Sequence, residues 1–352
     1  MRSLRCYHCL WLSPAWWAAL LLWVEGGLPA QAQQEFRLLS YNVENLFDTV
    51  RSQTADDADF QPDGRYGWDG RRYWSKLGKL ARVVAAAGGA SPVDVVGLCE
   101  VENDSVVYDL VRRTSLARLG YDFIVTHSRD VRGLNVALLY QPARFRPVGS
   151  RTLAVPWRDV SSRPTRDLLA VEGRLSGGDT LAVVVCHFPS RRGGRKASEA
   201  FRLRAAGVLR GYVDSLFRVR PAAKMVIMGD FNDEYPCPAI ADVLQATTPD
   251  STAVVPDRLY VLSHRLRGPG EVEGSYKFGD RWWQLDQMVV SGSLWEALPP
   301  SSAAIECRIF APPFLLADDG QPGTQRPHRT YRGPVYQGGV SDHLPLLLTV
   351  GK

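Results

Sequence analysis

The sequence predicts a layered α/β domain. Three observations point there. From Phe36 onward, apolar runs of strand length alternate with stretches of helical periodicity. No tandem repeat and no Pro/Ser linker divides the chain beyond its first 32 residues. The composition, 45% hydrophobic and 22% charged over 352 residues, is that of a globular protein long enough to bury a sizeable core.

The elements follow in order. Residues 36–43 read as a strand. Residues 73–87 read as a helix, because Leu77, Leu80, Val83 and Val84 recur at helical spacing. Residues 94–99 form a strand that ends at Glu100, and residues 108–119 a second helix that Gly120 stops. Residues 121–126 and 135–140 look like one strand pair. Residues 168–174 and 180–187 look like another, joined by a Ser-Gly-Gly-Asp turn. A long helix is expected over 196–218, with Phe201, Ala205, Val208, Leu209, Val213 and Leu216 mostly along one face. Residues 225–228 are a very short buried strand, and 236–244 a short helix. Residues 247–280 are loop-rich, and 284–290 and 346–350 are late strands. Gly, Pro and polar residues over 312–339 indicate an extended loop.

The first 32 residues differ in kind. Arg2 and Arg5 precede an apolar stretch over 10–24, and Ala30-Gln31-Ala32 follows. That order is the pattern of a secretory signal peptide cut after Ala32. A retained anchor fits less well, because the apolar run is shorter than the roughly 20 residues a spanning helix needs. The expectation is a signal peptide over 1–32, one domain over 33–352, no membrane span in the mature chain, and a periplasmic or secreted protein. No Cys at the cleavage site supports a lipid anchor. The domain holds Cys99, Cys186, Cys237 and Cys307 with no CxxC metal pattern. An oxidising compartment would permit disulfides, and three full pairings are open. Cys99 and Cys186 lie inside apolar runs and read as small buried hydrophobes. A net charge of +5 is compatible with a polyanionic substrate without demanding one.

The informative feature is where the polar residues fall. Apolar runs end repeatedly in acids, amides or histidines: Leu38 to Asn42, Val95 to Glu100, Val183 to His187, and Val226 to Asn232. Ser341-Asp342-His343 leads into a last apolar run. A buried strand that ends in a carboxylate delivers it to the rim of a sheet, and several rims can meet in one cleft. Carboxylates gathered there repel unless a cation or shared protons compensate them. An oxygen-rich set of Glu, Asp and Asn suits Mg²⁺, Mn²⁺ or Ca²⁺ better than zinc. Each residue alone has a bland reading: Asn42, Asp230 and Asn232 as turn residues, Glu100 as a surface acid, His187 as a satisfied core histidine. Their combination and order are specific.

These residues carry a resemblance. The chain resembles the endonuclease/exonuclease/phosphatase superfamily in six segments. They are Tyr41-Asn42-Val43-Glu44-Asn45-Leu46-Phe47, Leu98-Cys99-Glu100, Cys186-His187-Phe188-Pro189-Ser190, Gly229-Asp230-Phe231-Asn232-Asp233, Leu285-Asp286-Gln287 and Ser341-Asp342-His343-Leu344-Pro345. Together they span nearly all of the domain. Arg191-Arg192-Gly193-Gly194 and Gly274-Ser275-Tyr276-Lys277-Phe278 resemble the exported bacterial members.

The resemblance implies a four-layer sandwich: two packed mixed β-sheets flanked by helices, with the active site at one edge. It implies hydrolysis of phosphate esters by direct water attack, dependent on a divalent metal, Mg²⁺ first and Mn²⁺ or Ca²⁺ as alternatives. By this resemblance Glu100 is the principal metal ligand, Asn42 is close by, and Asp342 lies near the same metal. His343, paired with Asp286, would contact the scissile phosphate or activate the attacking water. Asp230 would position that water or act as acid/base. Asn232 and His187 would donate hydrogen bonds to phosphoryl oxygens. Glu44 stands where several relatives carry an Asp near the metal, which implies a supporting place for it. Asn135 also stands where some relatives carry an Asp, and it is read with Arg132 as part of the substrate rim.

Ser190, Arg191 and Arg192 join that rim. Arg191, Arg192, Arg195 and Lys196 form a basic cluster that would grip flanking phosphates, or else a solvated loop and helix start. Trp68, Trp74, Trp282 and Trp283 read as packing residues, with stacking on bases or lipids as the alternative. The first expectation is an exported nuclease that cleaves phosphodiesters, with nucleic acid as substrate and no protein partner implied. The alternative is a sphingomyelinase-like phospholipase C or a phosphatase of small phosphate esters, since these share the catalytic residues. A membrane-acting form would want an exposed apolar hairpin, for which Pro312-Pro313-Phe314-Leu315-Leu316 is the candidate. A non-enzymatic module ranks last, because every matched catalytic position holds a competent residue.

Overall fold

Nineteen strands and four helices appear in the computed structural model, which describes residues 35–157, 164–249, 254–296, 305–320 and 323–351. The signal peptide expected over 1–32 lies outside the described residues. In chain order the strands of the first half are β1 (Phe36–Leu46), β2 (Val95–Val101), β3 (Asp122–Val125), β4 (Asn135–Tyr140), β5 (Phe145–Leu153), β6 (Leu168–Leu175), β7 (Thr180–His187) and β8 (Lys224–Asp230). Next come β9 (Ala246–Thr247), β10 (Leu259–Val261), β11 (Tyr276–Phe278), β12 (Arg281–Trp283), β13 (Asp286–Ser291) and β14 (Ile305–Ile309). The last are β15 (Leu316–Asp318), β16 (Gln325–Pro327), β17 (Tyr331–Arg332), β18 (Val335–Tyr336) and β19 (Leu346–Val350). The helices are α1 (Gly70–Gly88), α2 (Asp104–Arg112), α3 (Glu199–Val219) and α4 (Gly292–Glu296).

Six strands form one sheet in the order β14-β19-β1-β2-β4-β3, and seven form a second in the order β5-β6-β7-β8-β13-β10-β9. Each sheet holds a parallel pair near its middle, β1 beside β2 and β7 beside β8. A parallel pair needs a crossover, and α1 and α3 lie within those two connections. The layering shows in β7. Leu181, Val183 and Val185 face the core between the sheets, where Val226, Met228 and Val290 also sit. Ala182, Val184 and Cys186 face outward, packed with Ala205, Leu209 and Val213 of α3. A strand covered on both faces carries an unbroken apolar run, as this one does. The sheets come close at Gly97 in β2: a Cβ there would lie 2.7 Å from Met228 Cε and 3.1 Å from Val185 Cγ2. The result is the four-layer α/β sandwich expected from the sequence.

Several expected elements shift. The second helix begins at Asp104, four residues before the expected start, because the Asn103 side chain accepts a hydrogen bond from Val106 N at 3.1 Å and caps it there. It stops at Arg112. Thr114 then starts a separate 3-10 turn, Ser115–Leu119, which Gly120 ends in the left-handed region. The long helix begins at Glu199 rather than at 196, because Ser198 Oγ turns back to the Gly194 carbonyl at 2.8 Å. Strands β5 and β14 are edge strands whose largely polar, half-exposed sequences hide them from pattern reading. The stretch over 312–339 is not one irregular loop: it folds into two antiparallel ribbons, β15–β16 and β17–β18. Cys99, Cys186 and Cys237 are buried, Cys307 is half-buried, and all four are free thiols. Among the described residues no helix is long and apolar enough to cross a membrane.

Candidate active site

The parallel pairs point their carboxyl ends toward the same edge of the sandwich. β1 and β2 bring Asn42 and Glu100 there, while β7 and β8 bring His187 and Asp230, which are register partners. Asp286 opens β13 opposite Asp230. The turn before β19 supplies Asp342 and His343. Glu100, His187, Asp230, Asn232, Asp342 and His343 line one cleft of about 590 Å³. The local backbone is shaped for this. Gly229 has φ 137°, and a Cβ there would collide with the Cys186 carbonyl, so only glycine fits before Asp230. Glu44, Asn45, Glu100 and Asn232 hold positive φ of 51°, 52°, 67° and 51°. Such strain persists only where the surroundings enforce it, and here it gathers at the strand ends of the cleft.

His343 Nδ1 donates to Asp286 Oδ2 at 2.6 Å, and its Nε2 lies 3.8 Å from Asp230 Oδ2. Burial works against the imidazolium, but Asp286, Asp230 and Asp342 outweigh it and hold the His343 pKa well above its ordinary value. Asp230 is held by its neighbours. Its Oδ2 accepts from Asn42 Nδ2 at 3.0 Å and Asn232 Nδ2 at 3.2 Å, and its Oδ1 from Asn232 N at 2.7 Å. Burial pushes the Asp230 carboxyl up to about 7 against the pull of His343, with Asp286 adding to the rise.

His187 differs from expectation. Its Nε2 accepts a hydrogen bond from Arg166 Nη2 at 2.9 Å, and it lies 3.6 Å from Asp230 and 3.8 Å from Glu100. Burial, then Arg166 and Arg132, depress its pKa well below the ordinary histidine value. The ring is therefore neutral, and in this geometry Nε2 accepts rather than donates. Arg166 is itself buried and also bonds Asp130 Oδ2 at 3.2 Å and the Phe188 carbonyl at 3.1 Å.

Of the three expected metal ligands, Glu100 and Asp342 line the cleft. Asn42 is buried beneath it, with its amide nitrogen on Asp230 and its Oδ1 accepting from Glu44 N at 3.0 Å. Glu100 Oε2 accepts from Asn45 N at 2.8 Å, and Asp342 Oδ2 meets Arg329 Nη2 at 2.8 Å. Glu100 and Asp342 are hard oxygen donors lining one cleft, the chemistry a hard divalent cation takes. Asp230, Asp286 and His343 also bring one ligand atom each within 4.8 Å of one another. Asp286 Oδ2 and His343 Nδ1 are bonded to each other, so this trio reads as an acid–base group.

The rim mixes two kinds of residue. Ser190, Arg191, Arg192 and Arg195 supply polar and basic groups, and Tyr276, Phe278 and Trp283 aromatic rings. Arg191 is fixed: it donates to the Asn232 carbonyl at 2.8 Å and to Asp233 Oδ1 at 2.7 Å, and its guanidinium lies 4.6 Å from the Trp283 ring centre. Asp233, buried, also pairs with Arg195 and Arg202. Arg132 stands at the edge, 3.2 Å from Asn45 Oδ1. Asn135 does not reach the cleft. Its Nδ2 donates to the Glu102 carbonyl at 2.7 Å and its Oδ1 accepts from Ser128 N at 2.7 Å, so it ties β4 to its neighbours.

The packing expected of the tryptophans fits Trp68, which is buried with its Nε1 on the Phe47 carbonyl, but Trp283 faces the cleft. Tyr276 stacks beside His343 at 4.9 Å between ring centres and bridges to its backbone. In the apolar segment considered over 312–316 only Pro313 is exposed: Leu315 is buried and the half-buried Phe314 ring lies 4.0 Å beneath Arg82.

Sequence reading missed Arg166, Arg329 and Lys76. Lys76 is fully buried, donating to the Glu44 carbonyl and, at 2.8 Å, to Thr330 Oγ1. Glu44 Oε2 accepts from Thr330 N at 2.6 Å. These bonds pin the Thr330 segment to the end of β1 and set Arg329 against Asp342. Burial and then Asp342 push the Glu44 carboxyl up to about 7, and burial pulls the Lys76 ammonium down to about 8 against the attraction of Glu44. A signal existed for Lys76, which sits between Tyr73 and Leu80 on the apolar face of α1.

Residues 37–352 match the sequence profile of the Endonuclease/Exonuclease/phosphatase family. Solved structures share the fold at low identity. Truncated Caenorhabditis elegans TDP2 is 16% identical, covers 91% of this chain and 99% of its own, and has a TM-score of 0.52. The human Nocturnin catalytic domain with a bound sulfate anion is 16% identical over 90% of this chain and 93% of its own, with a TM-score of 0.52. A mannosyl-6-phosphatase from Bacteroides thetaiotaomicron is 17% identical over 90% of this chain and 99% of its own, with a TM-score of 0.51. No curated protein sequence matches the chain.

Proposed function

The chain belongs to the endonuclease/exonuclease/phosphatase family, and on that premise we propose that it is an exported, divalent-metal-dependent nuclease that hydrolyses phosphodiesters by direct attack of water. Family members are hydrolases acting on phosphoesters. The observation that carries the reading is the His343–Asp286 pair facing Asp230 in a cleft walled by arginines and aromatic rings. Cations beside flat rings suit a chain of phosphates and bases. Burial of Leu315 and the Arg82 guanidinium over Phe314 weigh against the 312–316 segment as a membrane-seeking hairpin. The leader pattern over 1–32 supports export.

Glu100 and Asp342, with Asn42 behind them, would hold Mg²⁺ or Mn²⁺. Bound there, the ion would offset negative charge on the phosphate. The chain's own groups do the rest. Asp230, as carboxylate, takes the proton of the attacking water while the water oxygen bonds to phosphorus. Asn42 and Asn232 fix the direction of that carboxylate. His343, kept charged by Asp286, faces the phosphoryl oxygens and steadies their growing charge. The P–O ester bond breaks, and the leaving oxygen is protonated from solvent.

The test is hydrolysis by purified residues 33–352 with Mg²⁺ or Mn²⁺ against plasmid DNA, RNA, sphingomyelin and a generic phosphomonoester. An Asp230→Asn variant serves as control. Cleavage of nucleic acid that the variant lacks supports the nuclease. Turnover of lipid or monoester alone moves the protein to that substrate class, and full activity in EDTA removes the metal from the mechanism.

A further inference from the structure

A second cavity, of about 240 Å³, opens beside the catalytic cleft and shares Ser190 and Arg192 with it. Arg166 joins the two spaces: it lines the second while its Nη2 reaches His187 in the first at 2.9 Å. Trp157, Pro164 and Phe201 give the second cavity an apolar, partly aromatic lining. Two of its lining residues carry buried polar atoms without a hydrogen-bond partner among the described residues, Thr165 Oγ1 and Arg166 Nε. Arg166 is 6% exposed, and its other nitrogens are engaged by Asp130, His187 and Phe188. Buried donors are almost always paired in native proteins, so an N–H left over beside a cavity calls for an acceptor within it, a water or a ligand.

Flat walls beside hydrogen-bond donors recognise a nucleobase by its face and its edge together. The position agrees, since Ser190 and Arg192 stand between this cavity and the Asp230–His343 group. We propose that the second cavity is a specificity subsite that receives the nucleobase next to the scissile phosphate. Trp157 and Phe201 pack against the ring, and Arg166 and Thr165 meet its carbonyl edge. Arg192 spans the linking phosphate. The inference rests on the phosphodiester reading and names the part of the substrate that reading left open.

The experiment compares cleavage of a thymidine dinucleotide with cleavage of the two dinucleotides that each lack one base. The enzymes are the unmodified protein, Trp157→Ala and Phe201→Ala. Removing the base that occupies the cavity lowers kcat/KM roughly tenfold in the unmodified enzyme. Both variants lose most of that preference, mainly through KM, and cleave that abasic substrate at the unmodified rate. Equal cleavage of all three substrates, or a preference that survives both variants, overturns the subsite and leaves the phosphodiesterase standing. If none of the three is cleaved, the phosphodiester reading falls, and binding of thymidine 5′-monophosphate decides the subsite alone. The nucleotide then quenches a part of the fluorescence that Trp157→Phe removes; the same quench in both proteins overturns the proposal.

Discussion

Asp230 is a carboxylate that burial protonates and His343 ionises. Its pKa of about 7 sits where a base is half ready at neutral pH. The sign follows directly. Below that value the carboxyl is protonated and cannot take the water's proton, so kcat/KM climbs about tenfold per pH unit on the acid side and levels above 7. The His343 pKa is raised, so loss of the imidazolium lowers activity only on the alkaline side, well above the ordinary histidine range. A pH–rate profile on a phosphodiester checks both limbs; a flat acid limb removes Asp230 as the base. His343→Ala lowers kcat by about 10²- to 10⁴-fold with the circular dichroism unchanged. Survival within a few-fold would place the chemistry elsewhere. These residues were legible because each ends a buried run or opens the next. Arg166 was not: it sits in a loop among other polar residues, and only folding places it on His187.

At the scale of elements, a strand buried on both faces announces itself by composition, whereas an edge strand does not. That difference explains why β7 and β8 were read with nearly correct bounds while β5 was missed. The start of α2 was missed for a smaller reason, one capping side chain at Asn103. The link between α1 and the Thr330 segment is the element-scale contact with most at stake. Lys76 neutralises the surroundings of buried Glu44 and bonds Thr330. Lys76→Ala leaves Arg329 as the cation beside that acid, strands the Glu44 carbonyl and Thr330 hydroxyl, and costs about 1–3 kcal/mol in a chemical denaturation midpoint series. The same variant frees Arg329 from its place on Asp342, so the concentration of Mg²⁺ needed for half-maximal activity changes as well. A loss below about 1 kcal/mol with unchanged metal dependence would show that the segment is held by other contacts.

For the whole molecule, the meeting of the sheets governs stability and the cleft governs response to metal. Gly97 faces Met228 and Val185 across the core with no room for a methyl group. Gly97→Ala therefore costs about 1–3 kcal/mol, and pairing it with Met228→Ala recovers part of the loss. Purely additive losses in that cycle would mean the two residues do not press on each other. Bringing Glu100 and Asp342 to one cleft without compensation is unfavourable, so an ion held there stabilises the folded state. Millimolar Mg²⁺ raises Tm by a few degrees, and Glu100→Gln removes most of that rise. The layered architecture was legible because strand and helix periods alternate along the chain. The order of strands within each sheet was not, since it depends on pairings far apart in sequence.

Asn42 reaches Asp230 from the other sheet, and His343 reaches Asp286 the same way. Neither sheet alone owns a complete reaction centre. On the proposed mechanism, hydrolysis therefore needs both sheets docked in register. The same division makes turnover a gauge of how the two sheets are aligned. A hydrolase assembled across such a join is safe to its surroundings until the moment its folding is finished.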